Sequence, residues 1–352
     1  QNWGKICAKG NAGHASLYDP HRVLKPRRRT NPAKGFDVDP GWEEISWDEA
    51  LEIMTDRLKR IRLEDPRKLV LASFDTRAQS GVFWMAWAAA FGTPNQWGGA
   101  ANYFCGNGFH PVTYLTHGTW FGEPDIRHCR YLILIGTQNG SVANHLPMDL
   151  AARMADSRMD GMKLVVVDPV GINAGSKAHE WIPIRPGTDA ALALAMIQVL
   201  LNEEELYDRE FLRKFTNGPY LTRGDGGYLR DAESGKPLVW NQTEKRALPF
   251  DKCDDKAMAL EGRFQINGEN YPTAFTLLKE HVKHTTPEKA SSITTVPAGT
   301  IRRLAREFGH AAQIGSTVVM EGTELPLRPA AVSWYRGAIA HKHAMLNGLA
   351  CQ

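Results

Sequence analysis

The hydrophobic pattern of the chain alternates short apolar runs with longer helical patterns. Buried strands are predicted at the apolar runs 68–74, 130–136 and 163–169, with a fourth short strand inside 179–189. Helices are predicted at 47–62, 80–91, 146–155, 190–201 and 208–215. Because strands and helices alternate in this way, the sequence predicts an α/β fold with doubly wound, mostly parallel sheets.

The start of the first long helix is marked by a capping box. Ser46 is followed three residues later by Glu49, a spacing that lets the two residues satisfy amide groups at a helix start. The segment 1–45 before it is loop-rich, since prolines interrupt it repeatedly. The sequence therefore predicts no long helix before Trp47.

Beyond residue 216 the pattern changes. Frequent Gly, Asp, Asn and Pro with short alternating runs predict inserted β-hairpins at 217–272. Helices return at 273–309, including an amphipathic helix that follows a proline-containing turn. A further strand is predicted at 313–321. The last stretch, 334–352, is predicted to be a helix with His341 and His343 near its start.

Composition and charge narrow the classes of function. The 352-residue chain has a formal net charge of +3, which is too small to indicate a nucleic-acid partner. No apolar run approaches about 18 residues, so no direct membrane span is predicted. The five cysteines are an odd number and widely spread, which argues against a disulfide framework.

Polar turns follow the predicted strands. They are the turn that begins at Gly136, the turn at Asp168, and the segment 185–189, which contains Arg185, Gly187, Thr188 and Asp189. Ligands of doubly wound sheets lie beyond the carboxyl ends of the strands. There an arginine can bind phosphate, and Asp189 can accept the paired N–H donors of guanine. Alternatively, Thr188 or Asp189 caps the following helix, and the two interpretations are compatible.

Two cysteines lie among glycines. Cys105 is in the stretch GGAANYFCGNGFHP, where it is a candidate nucleophile, metal ligand or buried core residue. Cys7 precedes Lys9 by two residues but has no cysteine neighbour, whereas an iron–sulfur cluster needs four thiolates. The histidines lack zinc-protease spacing, so hydrogen-bonding or core positions are predicted for them.

Together these segments resemble the molybdopterin oxidoreductases of the dimethyl-sulfoxide-reductase type, as a fragment of their catalytic subunit. The resemblance spans nearly the whole chain, and its most specific segment is IPIRPGTDAALALAM after VVVDP. The other matching segments are ICAKGNAG, DPHRVLKPRRRTNP, WEEISWDEAL and YLILIG. The turn after YLILIG departs from the asparagine-proline-x-glutamate form that is commoner in the family, and Val170 takes a position where arginine is frequent.

The resemblance implies a cofactor set and a role for each candidate residue. Cys105 takes the position of the protein ligand to molybdenum or tungsten, a metal held by two molybdopterin guanine dinucleotides. Cys7 corresponds to the last of four cysteines that bind a 4Fe–4S cluster, and Lys9 to the lysine between cluster and pterin. The dinucleotide-binding positions are Gly136, Asn139, Asp168, Arg185, Gly187, Thr188 and Asp189.

A domain organisation is implied as well. Residues 1–45 correspond to a remnant of the 4Fe–4S domain. Residues 46–125 and 322–352 correspond to a discontinuous α/β domain with the metal-ligand loop. Residues 126–321 correspond to a dinucleotide-binding α/β domain with the hairpin insertion at 217–272. Both ends of the chain interrupt segments of the resemblance, so we expect a fragment that is inactive alone.

The implied activity is two-electron oxygen-atom or sulfur chemistry, with electrons relayed through the cluster. Gly106 follows Cys105 where formate dehydrogenases have a histidine, which argues against formate as the substrate. Two alternatives stay open. One is a non-redox hydratase or transhydroxylase on the same cofactor scaffold, and the other is a structural or electron-relay subunit without the cofactor.

The resemblance also implies partners. They are a small-molecule substrate, an iron–sulfur electron-transfer subunit and a membrane-anchor subunit. The sequence itself does not identify the compartment, and the expected partners favour a periplasmic or membrane-associated protein.

Overall fold

The computed structural model describes residues 8–73, 78–98, 108–120, 122–137, 150–340 and 343–352. The chain divides into two compact units, Asn2–Asn107 and Gly108–Gln352. In the first unit, the helices are α1 (Ala8–Asn11), α2 (Gly13–Leu17), α3 (Trp47–Glu64) and α4 (Ala78–Phe91), with a 3-10 turn at Pro66–Lys68. Its strands are β1 (Arg27–Arg29), β2 (Trp42–Glu44), β3 (Leu71–Ser73) and β4 (Gln96–Gly98).

The first unit confirms the predicted helix start. The Ser46 hydroxyl accepts a hydrogen bond from the Glu49 amide at 3.1 Å, and α3 begins at the next residue, Trp47. Satisfying an amide that has no partner within the helix stabilises this end. The strands of the unit form two pairs, β1 with β2 antiparallel and β3 with β4 parallel.

The second unit holds the larger set of elements. Its helices are α5 (His110–His117), α6 (Leu150–Met159), α7 (Asp189–Gln198), α8 (Arg209–Phe215), α9 (Ala274–Val282), α10 (Pro287–Thr294), α11 (Ala298–Ala311), α12 (Arg336–Ile339) and α13 (Ala344–Cys351), and a π-helical turn, Val199–Glu203, extends α7. Its strands are β5 (Tyr131–Ile135), β6 (Lys163–Val167), β7 (Glu180–Ile182), β8 (Leu238–Asn241), β9 (Arg246–Pro249), β10 (Arg263–Ile266), β11 (Glu269–Pro272), β12 (Thr317–Met320), β13 (Thr323–Pro326) and β14 (Ala330–Trp334). Across the described ranges, no helix combines the length and the apolar character needed to cross a membrane.

A four-stranded parallel sheet forms the centre of the second unit. Its strand order is β14-β5-β6-β7. Every residue of β5 is buried, so both faces of the sheet are covered. On one face, Leu132, Leu134 and Leu164 pack against Leu150 and Met154 of α6. The predicted α/β fold built on parallel sheets is confirmed.

The predicted hairpin insertion is also confirmed. β8 pairs with β9 and β10 pairs with β11, both antiparallel. Val239, Cys253 and Met258 give this region a small core of its own. The strand predicted at 313–321 is observed as β12, but it pairs with β13 in a separate hairpin.

The end of the chain differs from the predicted single helix over 334–352. Ala330–Trp334 forms β14, and α12 and α13 follow it as two short helices. A short apolar run does not by itself distinguish a strand from a helix. In addition, the pairing partner of Ala330 is Tyr131, far away in the sequence. His341 lies outside the described residues, and His343 directly precedes α13.

The pairing of β14 also differs from the predicted grouping of residues 322–352 with residues 46–125. Each residue of β14 pairs with a residue of β5, so this strand completes the sheet of the second unit. The sheet edge attracts the strand because it satisfies backbone hydrogen-bonding groups that would otherwise lack partners. The other domain boundaries stay predictions.

Charged side chains tie the amino ends of three strands to α11. Glu307 of α11 accepts hydrogen bonds from the Tyr131 hydroxyl of β5 at 2.8 Å and from the Lys163 ammonium of β6 at 2.7 Å. Arg303, one turn earlier, donates to Glu307 at 3.0 Å and also to Glu180 of β7. We call these five residues the amino-edge cluster. It fixes the starts of the strands relative to one another.

The amino-edge cluster lowers the pKa of Glu307. Partial burial is the largest single influence and opposes the charged form. Hydrogen bonds from Lys163, Tyr131 and Arg303 outweigh it, so the pKa falls from its ordinary value of 4.5 to about 2. Because the folded pKa is the lower one, the charged carboxylate contributes stability above about pH 4.5. This contribution is lost as the pH falls through about 2.

Glu307→Gln should lower the local free energy of unfolding by about 1–2 kcal/mol at pH 7. The neutral amide cannot accept charge-assisted hydrogen bonds from Lys163 and Arg303. Native-state hydrogen exchange of peptides from β5 and β6 in the whole protein measures the effect. Glu288→Gln is the matched control, since Glu288 pairs with Arg302 at the surface and should matter less. Equal losses in the two variants, or a Glu307→Gln loss that does not shrink below pH 4.5, would contradict this role.

Candidate functional site

The carboxyl ends of the four parallel strands lie level at one edge of the sheet. Ile135 ends β5 and pairs with Trp334 of β14 on one side and with Val167 of β6 on the other. Val167 in turn pairs with Ile182 of β7. The turns after these strands therefore emerge side by side. We call this region the carboxyl edge; it comprises residues 136–137, 168–170, 183–189 and 335–338.

Gly136 meets the turn after β14 at very short range. Its φ is +56°, and a Cβ at this position would lie 2.7 Å from the Ala338 nitrogen. The Gly136 carbonyl accepts a hydrogen bond from the Gly337 amide at 2.8 Å. A Cβ on Gly337 would in turn lie 2.5 Å from the Gly136 oxygen. Only glycine fits both positions, so backbone closes this side of the carboxyl edge.

Asp168 uses its polar groups within the turn after β6. Its Oδ1 accepts a hydrogen bond from the Val170 amide at 2.9 Å, and its carbonyl accepts one from the Trp181 indole at 2.8 Å. The neighbouring Val167 carbonyl accepts the Gly136 amide hydrogen at 3.0 Å. These bonds hold the half-buried Asp168 beside Gly136 and join the two turns.

The segment 185–189 presents an exposed arginine next to open space. The Arg185 amide donates to the Thr294 carbonyl at 3.0 Å, while the residue itself is exposed. Gly187 has a φ of +78°, and a Cβ there would have no heavy atom within 4 Å. The Thr188 hydroxyl donates to the Arg185 carbonyl at 2.6 Å and makes no capping bond to α7. Side-chain capping by Thr188, one of the predicted alternatives, is therefore not observed.

Asp189, the first residue of α7, is turned into the protein. It is 5% exposed, and its Oδ2 accepts a hydrogen bond from Asn347 Nδ2 at 3.3 Å. Asn347 belongs to α13, and its Oδ1 accepts the Ala190 amide hydrogen at 2.9 Å. Asn347 Nδ2 also donates to the Ala338 carbonyl. One buried amide thus joins the start of α7 to the turn after β14.

Asn347 and Gly337 were not among the predicted site residues. The available signal for Asn347 was a single strongly polar residue within the apolar helix Ala344–Cys351. Gly337 offered no comparable signal, since its importance comes from the approach of Gly136. Both residues contribute through contacts with distant segments of the chain.

The structure brings only part of the predicted site together. Gly136, Asp168 and the segment 185–189 lie at the carboxyl edge. Cys7, Cys105 and Asn139 lie outside the described residues, as does the side chain of Lys9, whose backbone belongs to α1. The roles of these four residues stay predictions.

The cysteines that the structure describes are not suited to metal binding. Burial raises the pKa of the Cys129 thiol to about 11. Burial and the nearby Asp189 carboxylate raise the pKa of Cys351 still further. Such thiols stay protonated at neutral pH, whereas metal ligation requires the thiolate. Within the described ranges, no group of three or more His, Cys, Asp or Glu residues is placed to hold a metal ion.

His110 has the structural position predicted for the histidines. It is buried, and its Nδ1 lies 3.0 Å from the Trp120 carbonyl oxygen. Its ring also stacks on the Trp120 indole, with the ring centroids 3.7 Å apart. The ring therefore has packing and hydrogen-bonding partners of its own.

A known protein family matches the chain over most of its length. The molybdopterin oxidoreductase family aligns with residues 22–343. This chain belongs to that family. Among molybdopterin oxidoreductases, it is similar to a sulfite dehydrogenase subunit of Allochromatium vinosum, at 35% identity over 88% of this chain and 32% of that protein. It is also similar to an arsenate respiratory reductase molybdopterin-containing subunit of a Shewanella species, at 27% identity over 97% of this chain and 37% of that protein.

A solved structure of the family has the same fold. Acetylene hydratase from Pelobacter acetylenicus superposes with a TM-score of 0.57 and 24% identity, over 99% of this chain and 37% of that one. This chain spans about a third of the length of these relatives.

Molybdopterin oxidoreductases use a pterin cofactor of molybdenum or tungsten, and the carboxyl edge fits a long anionic group of this kind. Arg185 is exposed, and Gly187 has open space around it. The start of α7 follows directly, and helix starts favour anions because their amide groups point outward. The positive charge, the open space and the helix start thus converge on one short segment.

Gly136→Ala should destabilise the protein more than Gly161→Ala. Both glycines have positive φ, which costs a side chain about 1–2 kcal/mol. A methyl group at Gly161 would have no heavy atom nearby, whereas at Gly136 it would meet the Ala338 backbone, which adds about 1–3 kcal/mol. Thermal unfolding of the whole protein measures the difference. Equal midpoints for the two variants would refute the close backbone contact.

Proposed function

We propose that this chain is part of the catalytic subunit of an oxidoreductase whose molybdenum or tungsten is held by two pterin guanine dinucleotides. The observation that carries the proposal is the meeting of Gly136, Asp168 and the segment 185–189 at one sheet edge. Ligands of parallel sheets bind beyond such edges. When bound, the group supplies two-electron redox chemistry at the metal.

The carboxyl edge offers a partner for each part of a guanine dinucleotide. Arg185 and the start of α7 would bind phosphate, because a guanidinium group and outward-pointing amides both favour anions. Asp189 would accept the N–H donors of guanine. Gly136, Asn139 and Asp168 would line the same arm, with glycine allowing close approach of the backbone. Thr188 would act indirectly, since its hydroxyl holds the Arg185 carbonyl.

The cysteines outside the described residues complete the proposal. Cys105 would ligate the metal, because a soft thiolate suits a metal already bound by dithiolene sulfur. Cys7 would be one of four cysteine ligands of a 4Fe–4S cluster. Lys9 would lie on the electron path between the cluster and the pterin.

We further propose two-electron oxygen-atom or sulfur chemistry on a small molecule. The relatives named sulfite dehydrogenase and arsenate respiratory reductase support this class. Both the sulfite dehydrogenase relative and a perchlorate reductase relative are named as single subunits, which supports a multisubunit enzyme. In such an enzyme, an iron–sulfur subunit would carry the electrons and a membrane anchor would place the enzyme at a membrane, with a periplasmic location favoured.

A non-redox hydratase is the second candidate. The chain is 32% identical to acetylene hydratase of Syntrophotalea acetylenica over 216 residues, which cover 60% of this chain. The two candidates differ in electron balance, since hydration consumes no electron acceptor. Turnover of sulfite, thiosulfate or arsenite that reduces an acceptor dye supports the oxidoreductase. Addition of water to acetylene with the dye unchanged supports the hydratase.

Cys105→Ala in the whole protein should reduce turnover to background while the pterin stays bound. The thiolate is expected to contact the metal directly, whereas the carboxyl edge holds the rest of the cofactor. X-ray absorption at the metal should report one sulfur ligand fewer. Cys253→Ala is the control, because this buried cysteine belongs to the small core of the hairpin insertion. Unchanged turnover in Cys105→Ala would exclude Cys105 as the ligand.

Lys9→Ala should slow electron transfer between the metal and the cluster more than it weakens cofactor retention. The positive charge is expected to favour electron passage between the two groups. Stopped-flow absorbance of the cluster after substrate mixing measures the rate. Lys34→Ala, at an exposed lysine in the same loop-rich segment, should leave the rate unchanged. Equal rates in wild type and Lys9→Ala would rule out the relay role.

A further inference from the structure

We propose that Asn347 is a positioning residue that aims the Asp189 carboxylate at the guanine base. The inference rests on the proposed function, in which Asp189 reads guanine. The two residues are distant in sequence, since Asp189 begins α7 and Asn347 lies within α13. Their side chains meet inside the protein, directly behind the carboxyl edge.

The Asn347 amide is fixed in direction by hydrogen bonds at both of its ends. Asn347 is 2% exposed, so its polar atoms depend on protein partners. Oδ1 accepts the Ala190 amide hydrogen at 2.9 Å, and Nδ2 donates to the Ala338 carbonyl. The second hydrogen of Nδ2 then has one direction left, toward Asp189 Oδ2 at 3.3 Å. Rotation of the amide would break all three bonds.

The chemistry of an amide suits this task better than a cationic side chain. Asp189 is 5% exposed, so its charge needs a donor within the protein. An asparagine supplies an N–H donor without a positive charge, and the carboxylate therefore keeps its negative charge for a ligand. Cys351, on the same helix as Asn347, adds no charge, because its thiol is buried and protonated. A lysine or arginine at position 347 would neutralise Asp189 instead.

Asn347 also links Asp189 to the other side of the carboxyl edge. The Ala338 carbonyl, which accepts from Asn347, lies one residue after Gly337. Gly337 is bonded to Gly136. The start of α7 and the turn after β5 are thus connected through one buried side chain. Loss of its N–H donors should release Asp189 even where the packing of α13 is kept.

The test is nucleotide selectivity of the whole protein prepared without pterin. GDP and CDP serve as probes, and calorimetric titration gives the ratio of their affinities. Asn347→Asp keeps the size of the side chain but removes both N–H donors. It should reduce the preference for GDP over CDP by about tenfold or more. Asn347→Ser is too short to reach Asp189 and should give the same loss, so the comparison survives if one variant fails to fold.

Asn241→Ala is the matched control for removal of a buried asparagine. Asn241 is 4% exposed and bonds to the Thr243 and Glu244 amides and the Glu244 carboxylate within the hairpin insertion. Its loss should lower the melting temperature and leave the GDP preference intact. A GDP preference retained in the Asn347 variants, even with a lowered melting temperature, would overturn the positioning role alone. A wild-type protein that binds GDP and CDP equally would overturn the guanine site itself.

Discussion

The contact between Gly136 and Gly337 is the constraint on which the carboxyl edge depends. At this point the ends of β5 and β14 are followed by two turns that touch through their backbones, with the Gly337 amide bonded to the Gly136 carbonyl at 2.8 Å. Any side chain at either position would push the turns apart. The contact brings Ala338 within reach of Asn347, and through Asn347 it reaches the start of α7. A displacement at the glycine pair would therefore be felt at Asp189.

The two edges of the parallel sheet are held by different kinds of interaction. At the amino ends of the strands, the amino-edge cluster around Glu307 binds β5, β6 and β7 to α11 through ion pairs and hydrogen bonds. At the carboxyl ends, backbone contacts and one neutral amide do the same work. Exposed charge there is reduced to groups such as Arg185 that a ligand can use. This separation lets the sheet be stabilised at one edge without competing with ligand binding at the other.

Local sequence signals predicted the elements whose causes are local. The Ser46 and Glu49 pair marks the start of α3, and the apolar runs mark β5 and β6, because capping and burial depend on neighbouring residues. Three turns of the carboxyl edge were found in the same way, since each follows a strand. The strand β14 was missed, because its place is decided by pairing with a distant strand.

The missed site residues have a similar explanation. Asn347 is visible in the sequence as a polar residue within an apolar helix, but nothing nearby identifies Asp189 as its partner. Gly337 becomes indispensable only once Gly136 is packed against it. Side-chain direction is likewise set by tertiary packing: Thr188 precedes α7 as a cap residue would, yet its hydroxyl bonds to Arg185.

The central claim is that the carboxyl edge belongs to a metal enzyme that carries guanine dinucleotides. The most direct test is to measure the metal and the released GMP in the purified whole protein. Elemental analysis gives the molybdenum or tungsten content, and acid hydrolysis followed by chromatography gives the nucleotide. The claim predicts one of these metals together with two GMP per metal ion. A protein that contains neither metal nor GMP, after expression in a host that makes the cofactor, would contradict it.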